Sequence, residues 1–169
     1  MDAVHIHLLL THFPIIGTLL GVAILAYGLF FKNDAIQKLS LLIFIAMALV
    51  AIPVFLTGEG AEEAVENLPG VTEKIIHEHE ELAETAIWFM GILGILAIVN
   101  WYALFKNYSF AKLLTIVTLF VSLITFGFYA KVGNLGGQIR HTEIRNGNTN
   151  ITNMDNQGQK DVNEEDDDD

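Results

Sequence analysis

The sequence predicts an all-α integral membrane protein, an up-down-up-down four-helix bundle with a disordered C-terminal tail. The first observation is composition: 52% of the 169 residues are apolar, 17% are charged and the mean hydropathy is +0.44. That balance is typical of small membrane proteins rather than of soluble domains. The second observation is four apolar segments long enough for a hydrocarbon core of roughly 30 Å, which takes about 20 helical residues.

The four apolar segments are predicted to be helices because main-chain polar groups in lipid must be satisfied within their own segment. Together they form a transmembrane domain over residues 1–145. The connections at 32–35 and 106–109 are short, so helices one and two, and helices three and four, should be antiparallel neighbours. The predicted helices are residues 8–31, 36–56, 72–105 and 110–132.

The end of the fourth helix is predicted from three glycines, at positions 133, 136 and 137. Glycine is a common helix terminator, so we expect the chain to turn there. Residues 138–144 would then lie along the outward-facing surface of the membrane and bring His141 toward the other histidines.

The loops carry opposite charges and predict the orientation. Lys32 and Lys38 flank the first short loop, and Lys106 and Lys112 flank the second, whereas the loop between helices two and three carries nine glutamates and one lysine. Positively charged loops stay in the cytoplasm, so both termini and the long loop should face outward. In a bacterium this predicts an inner-membrane protein with both termini in the periplasm.

The last segment, residues 146–169, has eight acidic residues, one lysine and many asparagines. This composition predicts a disordered acidic tail. The chain has no basic stripe that could neutralise phosphates, which argues against nucleic-acid binding. It also has no cysteine, which excludes disulfides, thiolate metal sites and covalent haem attachment.

The histidines of the third helix are predicted to face opposite ways. His79 lies at the centre of an apolar stripe, so it should point into the bundle. His77 lies on the far side among glutamates and should face water or a carboxylate.

The first helix carries three histidines near its start. His5 and His12 are seven residues apart and share one face, while His7 is turned away from them. His12 lies about one turn inside the apolar run and would need a polar partner there. The opposite face carries small residues, which suit close contact with another helix. Either face could be the inner one. Its glycines are Gly17, Gly21 and Gly28.

The fourth helix has hydroxyl side chains at intervals of three and four residues. This spacing favours a buried, hydrogen-bonded seam, although such hydroxyls can equally bond the carbonyls of their own helix. The stripe consists of Thr115, Thr118, Ser122, Thr125 and Tyr129.

Three functions remain open for the histidines. Two imidazoles could ligate a b-type haem for membrane-associated electron transfer, with His12 and His79 as the preferred pair and His141 in reserve. Alternatively, histidines and glutamates could bind a divalent zinc, copper or iron ion. The third possibility is a cofactor-free structural or assembly subunit. The histidines assigned to the metal alternative are His5, His7 and His77.

Catalysis is not predicted, because the chain has no hydrolase nucleophile motif, P-loop or HExxH motif. The expected partners are the lipid bilayer, a redox or membrane-complex partner and a second copy of the chain. A homodimer or complex contact could use Gly17 and Gly21.

Two short motifs carry a resemblance to a known family. The opening HIHLLLTHFPIIG and the closing GNLGGQIRH resemble a bacterial inner-membrane family catalogued as a domain of unknown function. The resemblance covers about residues 5–144 and implies four helices in the cytoplasmic membrane. Haem binding is suspected for that family. The His-Pro pair of its opening is absent here, where His5-Ile6 and His7-Leu8 stand instead. The matching positions are His7, Phe13, Pro14, Gly17, Gly136, Gly137 and Ile139.

Overall fold

The computed structural model describes residues 2–66 and 71–140, and every regular element in this part is helical. The all-α prediction is therefore confirmed. The predicted tail, residues 146–169, lies outside the described residues. In chain order the helices are α1 Ala3–Leu10, α2 His12–Phe30, α3 Asp34–Leu56, α4 Gly58–Glu63, α5 Glu73–Phe105 and α6 Ala111–Arg140.

Four stretches of helix are long and apolar enough to cross a membrane, with mean hydropathies from 2.1 to 2.9. Many large apolar side chains on these helices are exposed, Phe30 (80% exposed) and Leu113 (65%) among them. Apolar surface on this scale marks a surface that another apolar phase covers. The four spans are Ala3–Phe30, Asp34–Leu56, Glu73–Phe105 and Ala111–Ile139.

The first span is divided into α1 and α2 at Thr11. Pro14 lacks the N–H that would bond the carbonyl of Leu10, and its ring crowds that carbonyl. Thr11 nevertheless keeps right-handed helical backbone angles, and both its main-chain N–H and its hydroxyl donate to the carbonyl of His7. The two helices therefore form one 28-residue span with a local interruption.

The four spans enclose a common core. α2 contacts α3 and α6, and α5 contacts the same two helices, which closes a ring of four. The side chains that fill its centre are almost entirely buried and apolar: Leu25, Leu41, Phe44, Met90, Leu93 and Ala97.

The contact between α2 and α3 depends on residues of α2 that have no side chain. A Cβ atom on Gly21 would lie 2.4 Å from Cε1 of Phe44, and one on Gly17 would lie 2.0 Å from Sδ of Met47. The hydroxyl of Ser40 donates to the carbonyl of Gly21 at 2.7 Å. The small-residue face of the first span is thus the buried face.

A polar cluster joins α3, α5 and α6 inside the bundle. The hydroxyl of Thr115 lies 3.3 Å from Oε1 of Gln37 and 3.2 Å from Oδ1 of Asn100, and Nδ2 of Asn100 donates to the hydroxyl of Thr118 at 3.3 Å. Nε2 of Gln37 donates to the carbonyl of Gly28 at 3.1 Å. All four side chains of the cluster are buried.

The hydroxyl stripe of α6 is buried along its whole length, as its spacing predicts. Both alternatives for its hydrogen bonds occur together. Thr118 accepts from Nδ2 of Asn100 and donates to the carbonyl of Leu114. The single hydroxyl proton of Thr115 has three acceptors within reach, which are the carbonyl of Ala111 and the amide oxygens of Gln37 and Asn100. Among the described residues, the partners of Ser122 and Thr125 are carbonyls of their own helix.

The prediction that glycines end the fourth helix is wrong, because α6 continues to Arg140. Its glycines serve close packing instead. A Cβ on Gly133 would lie 2.7 Å from Cδ1 of Ile15 on α2, and one on Gly136 would lie 3.2 Å from Cε1 of His79 on α5. Omitting these side chains lets α6 approach both neighbours without a break in its own hydrogen bonds.

The two short turns have the same backbone hydrogen-bond pattern. Each follows a helix whose last carbonyls are capped by a bond spanning five residues, from Asn33 N to Gly28 O at 2.8 Å and from Tyr108 N to Ala103 O at 3.0 Å. Each contains one residue with positive φ, Lys32 at 52° and Asn107 at 55°. Both turns therefore have a defined backbone conformation.

The substitution Gly21→Ala tests the α2–α3 contact. The added methyl would collide with the fully buried ring of Phe44, so we expect a loss of about 1–3 kcal/mol of stability. Gly91→Ala is the matched control, because a Cβ there meets nothing within 4 Å. It should be neutral or stabilising by up to about 1 kcal/mol. Thermal unfolding of both variants in detergent measures the difference, and equal stability would contradict this account of the contact.

Candidate functional site

His79 lies between α5 and α6 and is half-buried. Its Nδ1 is 3.2 Å from the carbonyl oxygen of Val132. A carbonyl can only accept, so the ring must carry its proton on Nδ1 and donate it. The absent side chain at Gly136 leaves room for the ring against α6. The inward placement of His79 agrees with its position on the apolar stripe.

His7 is held in the same way at the neighbouring helix end. Its Nδ1 is 2.9 Å from the carbonyl oxygen of Val54, and the hydroxyl of Thr57 lies 3.5 Å from the same nitrogen. Val54 belongs to the last turn of α3, where carbonyls have no partner within the helix. The imidazole of His7 therefore supplies a donor to this helix end, beside the hydroxyl of Thr57, which lies 3.2 Å from the same carbonyl oxygen.

The two imidazoles, His7 and His79, share one hydrogen-bonding arrangement. His7 lies on α1 and donates Nδ1–H to a main-chain carbonyl of α3. His79 lies on α5 and donates Nδ1–H to a main-chain carbonyl of α6. Within residues 2–66 and 71–140, Nε2 of neither ring has a hydrogen-bond partner. A neutral imidazole with this tautomer keeps the lone pair of Nε2, which is the arrangement of metal-ligating histidines.

His12 does not lie on the inner face, contrary to the preferred haem pair. Its side chain is exposed, because α2 packs through the opposite side. The buried residues of that side include Pro14 and Thr18, which follow His7 by seven and eleven residues. Helical spacing puts those positions on the side of His7. The signal for His7 was therefore present in the sequence, on the face that carries the glycines.

The remaining histidines lie away from this pair. His77 is exposed, with Nε2 3.3 Å from Glu81 and Nδ1 4.0 Å from Glu80, as its outward position predicts. His5 is also exposed, and its main-chain N–H donates to the capping side chain of Asp2 at 2.9 Å. His141 lies outside the described residues.

In the described part of the chain, no group of three or more histidine, aspartate or glutamate side chains is placed to hold a metal ion. The trio proposed for such an ion is not brought together. His7 is turned toward α3, whereas His5 and His77 face outward. The structure therefore offers a pair of imidazoles rather than a chelating cluster.

An acidic surface lies beside the pair, on α4 and the start of α5. Burial raises the pKa of the Glu62 carboxyl above its ordinary value, and the negative charges of Glu80, Glu66 and Glu59 raise it further. The interaction with His77 lowers the same pKa. Glu62 therefore holds its proton more strongly in the folded chain than it would in the unfolded chain.

Comparison of the chain with protein-family models, with characterised proteins and with solved structures gives no match. His7 belongs to the opening motif, and Gly136, which lies against the ring of His79, belongs to the closing motif.

The substitution Glu62→Gln tests the electrostatics of the acidic surface. A carboxyl whose pKa is raised on folding costs stability above that pKa, and the cost disappears as the pH falls below the unfolded value. The variant should therefore be at least as stable as the wild type at about pH 7 and lose that advantage by about pH 4. Thermal unfolding at the two pH values measures this. Glu63→Gln removes the same charge from an exposed site of α4 and should change the pH dependence less.

Proposed function

We propose that this chain is a multi-pass membrane protein that binds a b-type haem through His7 and His79 and carries electrons at the outward-facing surface of its membrane. One observation carries the proposal. Both imidazoles donate Nδ1–H to main-chain carbonyls, at 2.9 and 3.2 Å, and both leave Nε2 without a hydrogen-bond partner in the described part. Histidine ligands of haem and metals are oriented by bonds of this kind.

Haem is favoured over a chelated metal ion by the number of ligands. A haem iron needs only two axial ligands from the protein, whereas a stable zinc site takes three or four. The described residues supply a pair and no group of three. His5 and His77, the other members of the metal alternative, face outward.

Residues without side chains lie next to both imidazole rings. Glycines lie beside both of them: a Cβ on Gly136 would be 3.2 Å from Cε1 of His79, and one on Gly58 would be 3.9 Å from Cε1 of His7. A larger side chain at either position would fill space next to a ligating ring. When bound, the haem would supply an iron that accepts and releases one electron.

The chain's own groups would set the properties of that iron. The carbonyls of Val54 and Val132 hold the Nδ1 protons, fix the ring planes and make Nε2 a stronger ligand. The apolar faces below the rings exclude water and lower the local dielectric constant, which are levers on a redox potential.

The proposal includes the arrangement in the membrane. The four spans would cross a bacterial inner membrane as an up-down-up-down bundle, with the lysine-bearing turns in the cytoplasm and the histidine pair toward the periplasm. Antiparallel contacts support this arrangement, since Gly28 lies by Gln37 and Gly21 lies by Ser40. The lysines of the short turns support the orientation.

A cofactor-free structural or assembly subunit is the second candidate. It is favoured by the interior below the histidines, where Leu25, Phe44, Met90 and Leu93 are completely buried and fill the core. In this case the Nδ1 bonds of His7 and His79 would only tie helix ends together. Its partners would contact the exposed apolar surface.

An absorbance spectrum separates these candidates. Protein purified from haem-supplied cells should show a Soret band, with sharp α and β bands after reduction. His7→Ala and His79→Ala should each abolish the bands, because each removes one axial ligand. His12→Ala and His77→Ala are matched controls from exposed positions and should keep the spectrum. A colourless wild-type protein, or bands insensitive to His7 and His79, would refute haem binding at this site.

The orientation can be measured with single cysteines, since the chain contains none. Ser109→Cys, in the second short turn, should react with a membrane-impermeant maleimide only after the inner membrane is opened. Lys74→Cys, at the exposed start of α5, should react in intact spheroplasts. The reverse pattern would contradict the proposed topology without bearing on the haem.

A further inference from the structure

A pocket lies between the two short turns, at the end of the bundle opposite the histidines. Two adjoining depressions share Asp34, Leu104 and Lys112 as lining residues. We call the combined depression the inner-turn pocket; its other lining residues used below are Lys32, Asn107 and Tyr108.

Opposite charges line this pocket without neutralising each other. Lys32 and Lys112 contribute two positive charges and Asp34 contributes one negative charge. None of the ion pairs in the described part of the chain involves these three side chains. A ligand with a negative group and a positive group a short distance apart would complement these three charges.

The walls of the pocket are held in a defined shape. Lys32 and Asn107 occupy the positive-φ positions of the two turns, and each turn is closed by a main-chain bond that spans five residues. Asp34 stands in the first turn of α3, where the helix dipole stabilises its carboxylate. The charges are thus presented from rigid backbone.

The surroundings of the pocket are those of a membrane surface. Tyrosine and phenylalanine side chains at the same end are largely exposed, and tyrosine is enriched at the level of lipid headgroups. Lys106 lies 5.8 Å from the ring centres of Tyr102 and Phe105. The exposed aromatic residues of this end are Tyr27, Phe30, Phe31, Tyr102, Phe105, Tyr108 and Phe110.

We propose that the inner-turn pocket binds a phospholipid headgroup that carries a phosphate and a primary ammonium, as phosphatidylethanolamine does. The phosphate pairs with Lys32 and Lys112, and the ammonium donates to the carboxylate of Asp34. A free phosphate shares the first interaction but lacks the ammonium and the acyl chains, which lie along the exposed apolar sides of α2 and α6. The inference rests on the membrane insertion proposed above and is independent of haem.

Native mass spectrometry of the full chain in detergent tests the site with three defined lipids and with inorganic phosphate. Phosphatidylethanolamine should bind roughly tenfold tighter than phosphatidylcholine, whose quaternary ammonium cannot donate a hydrogen bond. Phosphatidylglycerol, which has the phosphate but no ammonium, should bind less tightly than phosphatidylethanolamine. Inorganic phosphate should not displace the lipid.

Variants assign the binding to the pocket. K32Q/K112Q should weaken phosphatidylethanolamine binding by roughly tenfold or more, since two lysines near a phosphate are lost. Asp34→Asn should leave the phosphate contact and remove the preference over phosphatidylcholine. K38Q/K106Q removes two lysines from the same end that do not line the pocket, and it should bind like the wild type. Helical circular dichroism checks that each variant is folded.

Three outcomes would overturn the proposal. Equal weakening by K32Q/K112Q and K38Q/K106Q would indicate a diffuse charged surface. Tighter binding of phosphatidylglycerol, increased further by Asp34→Asn, would indicate a purely anionic lipid site. Displacement of the lipid by inorganic phosphate would indicate a free anion as the ligand. Loss of haem in the absorbance experiment would leave all of these results unaffected.

Discussion

The close approach of α2 to α3 is the contact on which the rest of the structure depends. Because Gly17 and Gly21 have no side chains, Met47 and the ring of Phe44 lie directly against the main chain of α2. The face of α2 that makes this contact continues across Pro14 to His7. The packing that joins α2 to α3 therefore also turns His7 toward the carbonyl of Val54, so the position of His7 follows from a steric fit in the bundle interior.

The hydrogen bonding of polar side chains in the bundle interior is a second constraint on the structure. A buried amide or hydroxyl in an apolar medium costs free energy unless it is hydrogen-bonded, so Gln37, Asn100 and Thr115 need one another. Their bonds form only when α3, α5 and α6 stand at one relative height. Thr18 is an exception, because its buried hydroxyl has no partner in the described part of the chain. The polar cluster thus fixes register, while the apolar contacts supply most of the burial.

Much of this could be predicted from the sequence, for physical reasons that apply to single helices. Length and hydropathy predict the spans, and periodicity predicts that His79 and the hydroxyls of α6 face inward. Periodicity gives only relative angles within one helix, however, so it could not choose between the His12 face and the His7 face of the first span. Gly133 and Gly136 were misread as helix terminators because glycine serves two purposes, and only the neighbours Ile15 and His79 reveal which one applies.

The two five-residue caps at the short turns have a consequence for how the molecule is assembled. Each turn closes a helical hairpin from contacts that are local in sequence, α2 with α3 and α5 with α6. Local contacts form fastest, so each hairpin can form as a unit before the two hairpins dock. Docking of the halves then depends on a few distant pairs, such as the bond between Gln37 and Thr115 and the contact of Ala48 with Gly94. The protein can thus be described as two folding units, and we expect the halves, expressed as separate chains, to reassociate.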